Sequence, residues 1–132
     1  MAEAYREKRK HVRVYFSPNE EVQGGFAIPG QGQAHFFAPL LDLSLGGLNF
    51  SLTREEGAAA LQVGSSLVLS ELRQGGRLLS DQEVPVRVRW VVTHPFLDHV
   101  SFGCEFQELG GPGRQLLEGF VAERLRAGRD RA

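Results

Sequence analysis

Residues 84–92 read Val-Pro-Val-Arg-Val-Arg-Trp-Val-Val, and residues 100–106 read Val-Ser-Phe-Gly-Cys-Glu-Phe. On an extended chain Val84, Val86, Val88 and Trp90 fall on one side, with Arg87 and Arg89 on the other. Val100, Phe102, Cys104 and Phe106 likewise share a side. A period of two marks a strand with one face in a core and the other in water. Pro85 places the first strand at an edge or at its own start, because proline donates no ladder hydrogen bond. The pattern repeats outward from this pair, with residues 94–99 as a connection. Val12, Val14 and Phe16 alternate with Arg13 and Tyr15. Leu48, Phe50 and Leu52 alternate with Asn49, Ser51 and Thr53, directly after the Gly46-Gly47 punctuation, and Leu67 and Leu69 share a side within 66–72. Residues 34–43 form an apolar run, and a short strand is expected near 23–28 among turn-forming Pro18, Gly24, Gly25, Pro29, Gly30 and Gly32. Gln74-Gly75-Gly76 suits a hairpin turn. Residues 54–62 read as one or two helical turns or a loop.

The period changes at the end of the chain. Gly110-Gly111-Pro112-Gly113 stops the last strand. From Arg114 onward Leu116, Leu117, Phe120, Val121 and Leu125 line one stripe of a helix, which needs an apolar surface to cover. Five to seven strands in an antiparallel meander, closed and capped by that helix, satisfy all of this. Closure also removes exposed strand edges. The expected core holds Val12, Val14, Phe16, Leu48, Phe50, Val86, Val88, Trp90, Phe102, Cys104 and Phe106, and the helix should add Leu116, Phe120 and Val121.

The chain has 132 residues, the size of one domain. Apolar residues make up 42% and charged residues 23%, an ordinary globular mixture. The 16 glycines fit a turn-rich β protein. Fifteen basic against 16 acidic residues give a net charge of −1, so bulk charge does not recruit DNA or RNA. Any bound anion needs a local basic cluster. A single cysteine excludes an internal disulfide and a zinc framework and suits a reducing compartment. The N-terminal stretch lacks the apolar region of a signal peptide. No apolar run approaches the ~20 residues of a membrane helix. A cytoplasmic location without membrane insertion is expected.

Chemistry-bearing motifs are few. The nucleophile elbow, the zinc-binding His-Glu-x-x-His pattern and the phosphate loop are all absent, so no catalytic residue is expected. His94, Asp98 and His99 read as a polar loop in preference to a metal site. Cys104, on an apolar strand face, reads as a small buried hydrophobe in preference to a reactive thiol. Two clusters remain. Lys8-Arg9-Lys10-His11-Val12-Arg13 holds four cations and a histidine within six residues and leads directly into a strand. Arginine is a planar bidentate donor matched to phosphate and to the acceptor edge of guanine. Asp42-Leu43-Ser44-Leu45-Gly46-Gly47 can be a simple turn. It can also supply a carboxylate for guanine N–H groups, a hydroxyl, and glycine backbone open to close approach.

These two clusters resemble the paired motifs of the PilZ family, Arg9-x-x-x-Arg13 as its RxxxR and Asp42-x-Ser44-x-x-Gly47 as its [D/N]xSxxG, with the usual spacing between them. Val88-Arg89-Trp90-Val91, Phe102-Gly103-Cys104-Glu105-Phe106 and the closing helix extend the likeness over roughly Lys8 to Leu125. The resemblance implies a six-stranded antiparallel β-barrel of Greek-key type with a C-terminal α-helix, and binding of the bacterial second messenger cyclic di-GMP. It implies contacts to guanine and phosphate from Arg9 and Arg13 and to guanine from Asp42 and Ser44. Gly46 and Gly47 would lie at the ligand, Gly47 keeping the turn open. Lys8, basic and just before the first arginine, implies an intercalated pair of ligand molecules. The arm bearing the first motif is expected to order on binding.

The resulting expectation is a flexible arm at 1–8, a PilZ domain at 9–127 and a disordered tail at 128–132. It describes a single-domain cyclic di-GMP receptor, monomer or homodimer, that needs no further cofactor and signals to a downstream protein. A PilZ-like adaptor that binds its protein partner without nucleotide is the alternative.

Overall fold

The alternating stretches form strands, and six of them close on one another. The computed structural model describes residues 11–30, 35–56, 61–94 and 96–131, with the backbone path alone for 128–131. Lys8, Arg9 and the expected arm at 1–8 therefore lie outside the described residues. In chain order the strands are β1 Val14–Tyr15, β2 Val22–Ala27, β3 His35–Leu43, β4 Gly47–Thr53, β5 Ser66–Gln74, β6 Arg77–Ser80, β7 Val84–Thr93 and β8 His99–Phe106, followed by helix α1 Gly111–Arg131. Short 3₁₀ turns occupy Pro18–Glu20 and Arg54–Glu56.

The ring runs β3-β2-β5-β7-β8-β4 and returns to β3 through the β3–β4 pairing, all antiparallel. It is not the plain meander suggested by alternation. Two meanders, β2-β3-β4 and β5-β7-β8, join through β2–β5 and β4–β8, which gives the Greek-key character. Strand β1 adds to the end of β3, and β6 forms a hairpin with β5. That hairpin turns at Gly75 and Gly76, whose φ values of 58° and 81° suit glycine alone without strain.

Inside the barrel, Phe50 packs on Phe26 at 4.7 Å and on Phe102 at 5.1 Å between ring centroids. Offset and tilted rings at these distances add to the gain from burying their area. Val14, Leu48, Val86, Val88, Cys104 and Phe106 complete the expected core, all buried.

Two expected core residues face solvent instead. Val12 is 62% exposed because the β1 ladder begins only at Val14, opposite Leu43. Trp90 is 43% exposed because β7 carries a bulge. Val88 pairs with Cys104 but Trp90 pairs with Gly103, so Arg89 is the extra residue. A bulge of one residue exchanges inside for outside on everything beyond it. Val91 therefore packs against the core and Trp90 faces out. Phe16 is only half-buried, under α1 instead of inside the barrel.

Helix α1 starts at Gly111, earlier than its apolar stripe, with Pro112 in the first turn, where a missing N–H costs nothing. Its backbone continues through Arg131, over the stretch read as a tail. Leu117 and Val121 are buried, while Leu116, Phe120 and Leu125 are half-buried against the core. The helix is tied to β1: Phe120 meets Phe16 at 6.0 Å between centroids, and the Arg124 guanidinium lies 5.1 Å from the centre of the Phe16 ring. Arg124 also pairs with Glu20 and donates to the Tyr15 carbonyl at 3.1 Å. Among the described residues no helix is long and apolar enough to cross a membrane.

The Arg124 guanidinium holds the Glu20 carboxyl below its ordinary value of 4.5, against the opposing pull of burial. The pair therefore contributes its full stability above that ordinary value and loses it as pH falls through the lower, folded value. Arg124→Met should cost about 1–2 kcal/mol at pH 7. In thermal melts the deficit against the parent should shrink toward pH 3. A deficit that stays constant across that range assigns the loss to packing on Phe16 and not to the ion pair.

Candidate functional site

A second bulge builds the site. Leu40 pairs with Phe50, but Asp42 pairs with Asn49, leaving Leu41 as the extra residue of β3. Leu40 and Leu43 stay in the core while Asp42 turns to the outer face. The ladders then align five residues in one row across five strands. Tyr15 pairs with Asp42, Asp42 with Asn49, Asn49 with Gly103, and Gly103 with Trp90. The row forms the floor of an open groove of about 960 Å³. Exposed aromatic rings stand at both ends, and a carboxylate and an amide lie between them.

Asp42 is 7% exposed, buried and not standing at an open mouth as its place in a turn motif suggests. Arg13, one residue before β1, forms an ion pair with its Oδ1. Asn49 Nδ2 donates to both carboxylate oxygens, at 2.7 and 2.8 Å. Buried charge demands this degree of pairing. The first motif's second arginine and the second motif's aspartate are thus in direct contact.

Ser44 is 1% exposed and organises the β3–β4 turn. Its Oγ accepts from the N–H groups of Gly46 and Gly47 at 3.1 and 3.3 Å, and its own N–H donates to the Gly47 carbonyl at 2.9 Å. The turn is tied to β8, because the Phe106 N–H donates to the Gly46 carbonyl at 3.0 Å. The two glycines differ in what they permit. A Cβ on Gly47 would run into the Cys104 carbonyl oxygen, which is backbone and cannot move aside. A Cβ on Gly46 would meet only the His11 ring, 2.8 Å away. His11 thus lies on Gly46, which ties the chain just before Arg13 to the turn.

The groove rim carries Arg89 and Glu105, paired at 2.9 Å and half-exposed. The Trp90 indole lies across Gly103, in the space a Cβ would fill. Burial pushes the Cys104 thiol up to about 12, so at neutral pH it carries its proton and is a poor nucleophile. His94 hydrogen-bonds Ser101 at 3.2 Å. Among the described residues no three His, Cys, Asp or Glu side chains converge as metal ligands would.

The sequence matches the PilZ domain over residues 7–123. The chain belongs to the PilZ domain family. Three solved structures share the PilZ fold with it. MrkH of K. pneumonia in complex with c-di-GMP superposes with a TM-score of 0.73 at 12% identity, over 94% of this chain and 55% of MrkH. The PilZ domain of YcgR from Escherichia coli with c-di-GMP gives 0.65 at 14% identity, over 94% and 96%. The inhibitor of motility MotI of Bacillus subtilis gives 0.65 at 18%, over 91% and 52%. The chain thus spans about half of MrkH and MotI and nearly all of the YcgR domain. No curated protein matches it by sequence.

Arg13, Asp42, Ser44, Gly46 and Gly47 converge on the groove, whereas Lys8 and Arg9 lie outside the described residues. Sequence reading missed Asn49, Trp90, Gly103 and Tyr15 as groove residues. Asn49 looked like the polar partner in an alternating strand. Trp90 looked like core because nothing in Arg87-Val88-Arg89-Trp90 announces a bulge.

Gly47→Ala should destabilise the fold by about 1–3 kcal/mol, through the collision with β8 backbone. Gly46→Ala should leave the melting temperature nearly unchanged, because the His11 ring can swing aside. Equal melting points for the two variants would contradict the collision.

Proposed function

We propose that this PilZ domain is a receptor for cyclic di-GMP, and that it acts by binding and not by catalysis. The observation that carries the reading is the Arg13–Asp42–Asn49 cluster on the floor of a groove flanked by Tyr15 and Trp90. The PilZ relatives MrkH and YcgR, solved with c-di-GMP, support it. The ligand carries two guanine bases and two phosphates. A guanine presents N1–H and N2–H₂ donors, and Asp42 is a carboxylate that can only accept. Arg13 offers a bidentate fork to phosphate or to the guanine O6/N7 edge. Without ligand Arg13 and Asp42 neutralise each other, and on binding Arg13 transfers to the ligand. Ser44 holds the turn that presents Gly46 and Gly47. Lys8 and Arg9 add the further cations that a net charge of −1 makes necessary.

The test is a calorimetric titration read in parallel by the fluorescence of Trp90, the chain's single tryptophan. Cyclic di-GMP should bind and change the emission. Two ligand molecules per chain are expected from Lys8, and a one-to-one end point removes that part alone. Arg9→Ala and Arg13→Ala should each weaken binding roughly ten- to a hundredfold, the loss of one hydrogen bond to a charged group. Asp42→Ala should weaken it and reduce preference over cyclic di-AMP. It should also lower stability by about 1–3 kcal/mol, because Asn49 Nδ2 and Arg13 lose their partner. Arginine variants that bind as tightly as the parent would put the site elsewhere. A parent that does not bind leaves the nucleotide-independent adaptor.

The receptor signals by ordering the residues before His11 over the filled groove, creating a face for a protein partner. This segment is rich in trypsin sites: Arg6, Lys8, Arg9 and Lys10. Saturating cyclic di-GMP should slow tryptic cleavage there severalfold relative to cleavage elsewhere in the chain. Unchanged cleavage in the bound state removes the ordering step.

A further inference from the structure

Asn49 points outward from β4, between Leu48 and Phe50 in the core, yet it is 9% exposed. Its Nδ2 sits astride the Asp42 carboxylate, 2.7 and 2.8 Å from the two oxygens. A carboxylate cannot donate, so the amide must turn its NH₂ to Asp42, and chemistry alone decides which end faces which way. The other end, Oδ1, is buried and has no hydrogen-bond partner among the described residues. Nearly all buried polar atoms in folded proteins are satisfied, and an orphan needs a reason.

The position of that orphan is informative. On the side of β4 away from Asp42, Asn49 pairs with Gly103, and the Trp90 indole lies across Gly103. Beside Asn49 in the row the groove floor is therefore topped by a half-exposed ring.

We infer that Asn49 is a guanine-selecting residue: its Oδ1 accepts from the exocyclic amino group of a base bound at Asp42. This inference rests on the receptor reading above and names a further determinant of the same site. Guanine carries three N–H bonds on its donor edge, one at N1 and two at N2. Once Arg13 transfers to a phosphate, the Asp42 carboxylate can accept N1–H and one N2–H. The second N2–H needs another acceptor beside the carboxylate, and Oδ1 is one that nothing else uses. Hypoxanthine keeps N1–H but lacks the amino group, so it forfeits one contact to Asp42 as well as the contact to Oδ1. Adenine presents an unprotonated N1 toward the carboxylate and is disfavoured by Asp42 already. Asn49 thus adds to the separation of guanine from hypoxanthine that the Asp42 contact to N2–H begins, and Asp42's contact to N1–H plays no part in it.

The experiment titrates the full chain, Asn49→Ala and Asn49→Ser with cyclic di-GMP and with its inosine analogue, cyclic di-IMP. The parent should prefer the guanine ligand. Both variants should lose affinity for cyclic di-GMP by roughly three- to tenfold, the worth of one neutral hydrogen bond, and keep their affinity for cyclic di-IMP. The preference then narrows by that factor, to the part that Asp42 supplies. Thermal melts verify folding, and serine, which stays polar in the strand, supplies the readout if alanine does not fold. Equal weakening toward both ligands overturns the inference in favour of Asn49 merely holding Asp42. Tighter binding of cyclic di-GMP overturns it in favour of Asn49 competing with the base. Both results leave the receptor reading standing. A parent that binds neither nucleotide overturns that reading and this inference together.

Discussion

A sheet that closes on itself must assign every side chain either to the crowded interior or to the outside, and strict alternation leaves no choice once the register is set. In this barrel the extra residues Leu41 and Arg89 reset the assignment part-way along β3 and β7. Without the first, Asp42 would point with Leu40 into the Phe26–Phe50–Phe102 core, where an ionised carboxylate has no partner and is expensive. Without the second, Trp90 would compete for interior volume that Val91 now fills. The bulges let one continuous sheet be an apolar core on one side and a polar, aromatic-ended groove on the other.

The constraint extends to the ends of the row. Asp42 faces outward, but it is covered, and the groups that cover it come from different parts of the chain. Arg13 arrives from the segment before β1 and Asn49 from the strand after the turn. The same β1 that positions Arg13 is clamped from the opposite direction by α1, through Phe16, the Tyr15 carbonyl and Arg124. Two residues of chain separate Arg13 from Phe16. Under the proposed reading, a change of partner at Arg13 is felt at the middle of α1, at Phe120 and Arg124, without passing through the barrel core. The helix is therefore part of the site's mechanical surroundings as well as a lid on apolar surface.

Glycine plays opposite parts within this short region. At Gly47 the missing side chain is required by the β8 backbone and belongs to the fold. At Gly103 it makes a recess for the Trp90 ring and belongs to the groove. At Gly46 it offers a platform for His11. Motif letters do not separate these roles, because all three positions read simply as glycine in or beside a strand.

Much was legible in the linear sequence. Val84-Pro-Val-Arg-Val and Val100-Ser-Phe-Gly-Cys-Glu-Phe declare strands because their period reflects a local geometry that every extended chain obeys. The stripe from Leu116 to Leu125 declares a helix for the same reason. Arg13 and Asp42 could be named because their chemistry is intrinsic to the side chains. What the linear order could not contain was register. The bulges at Leu41 and Arg89 come from how neighbouring strands fit around a closed barrel, so the outward turn of Trp90 followed only from β8 pairing. The burial of Asp42 under Arg13 and Asn49 followed only from β1, β3 and β4 meeting in one row. Local chemistry thus decided which residues could act, while strand closure, a global condition on the whole ring, decided which of them face one another.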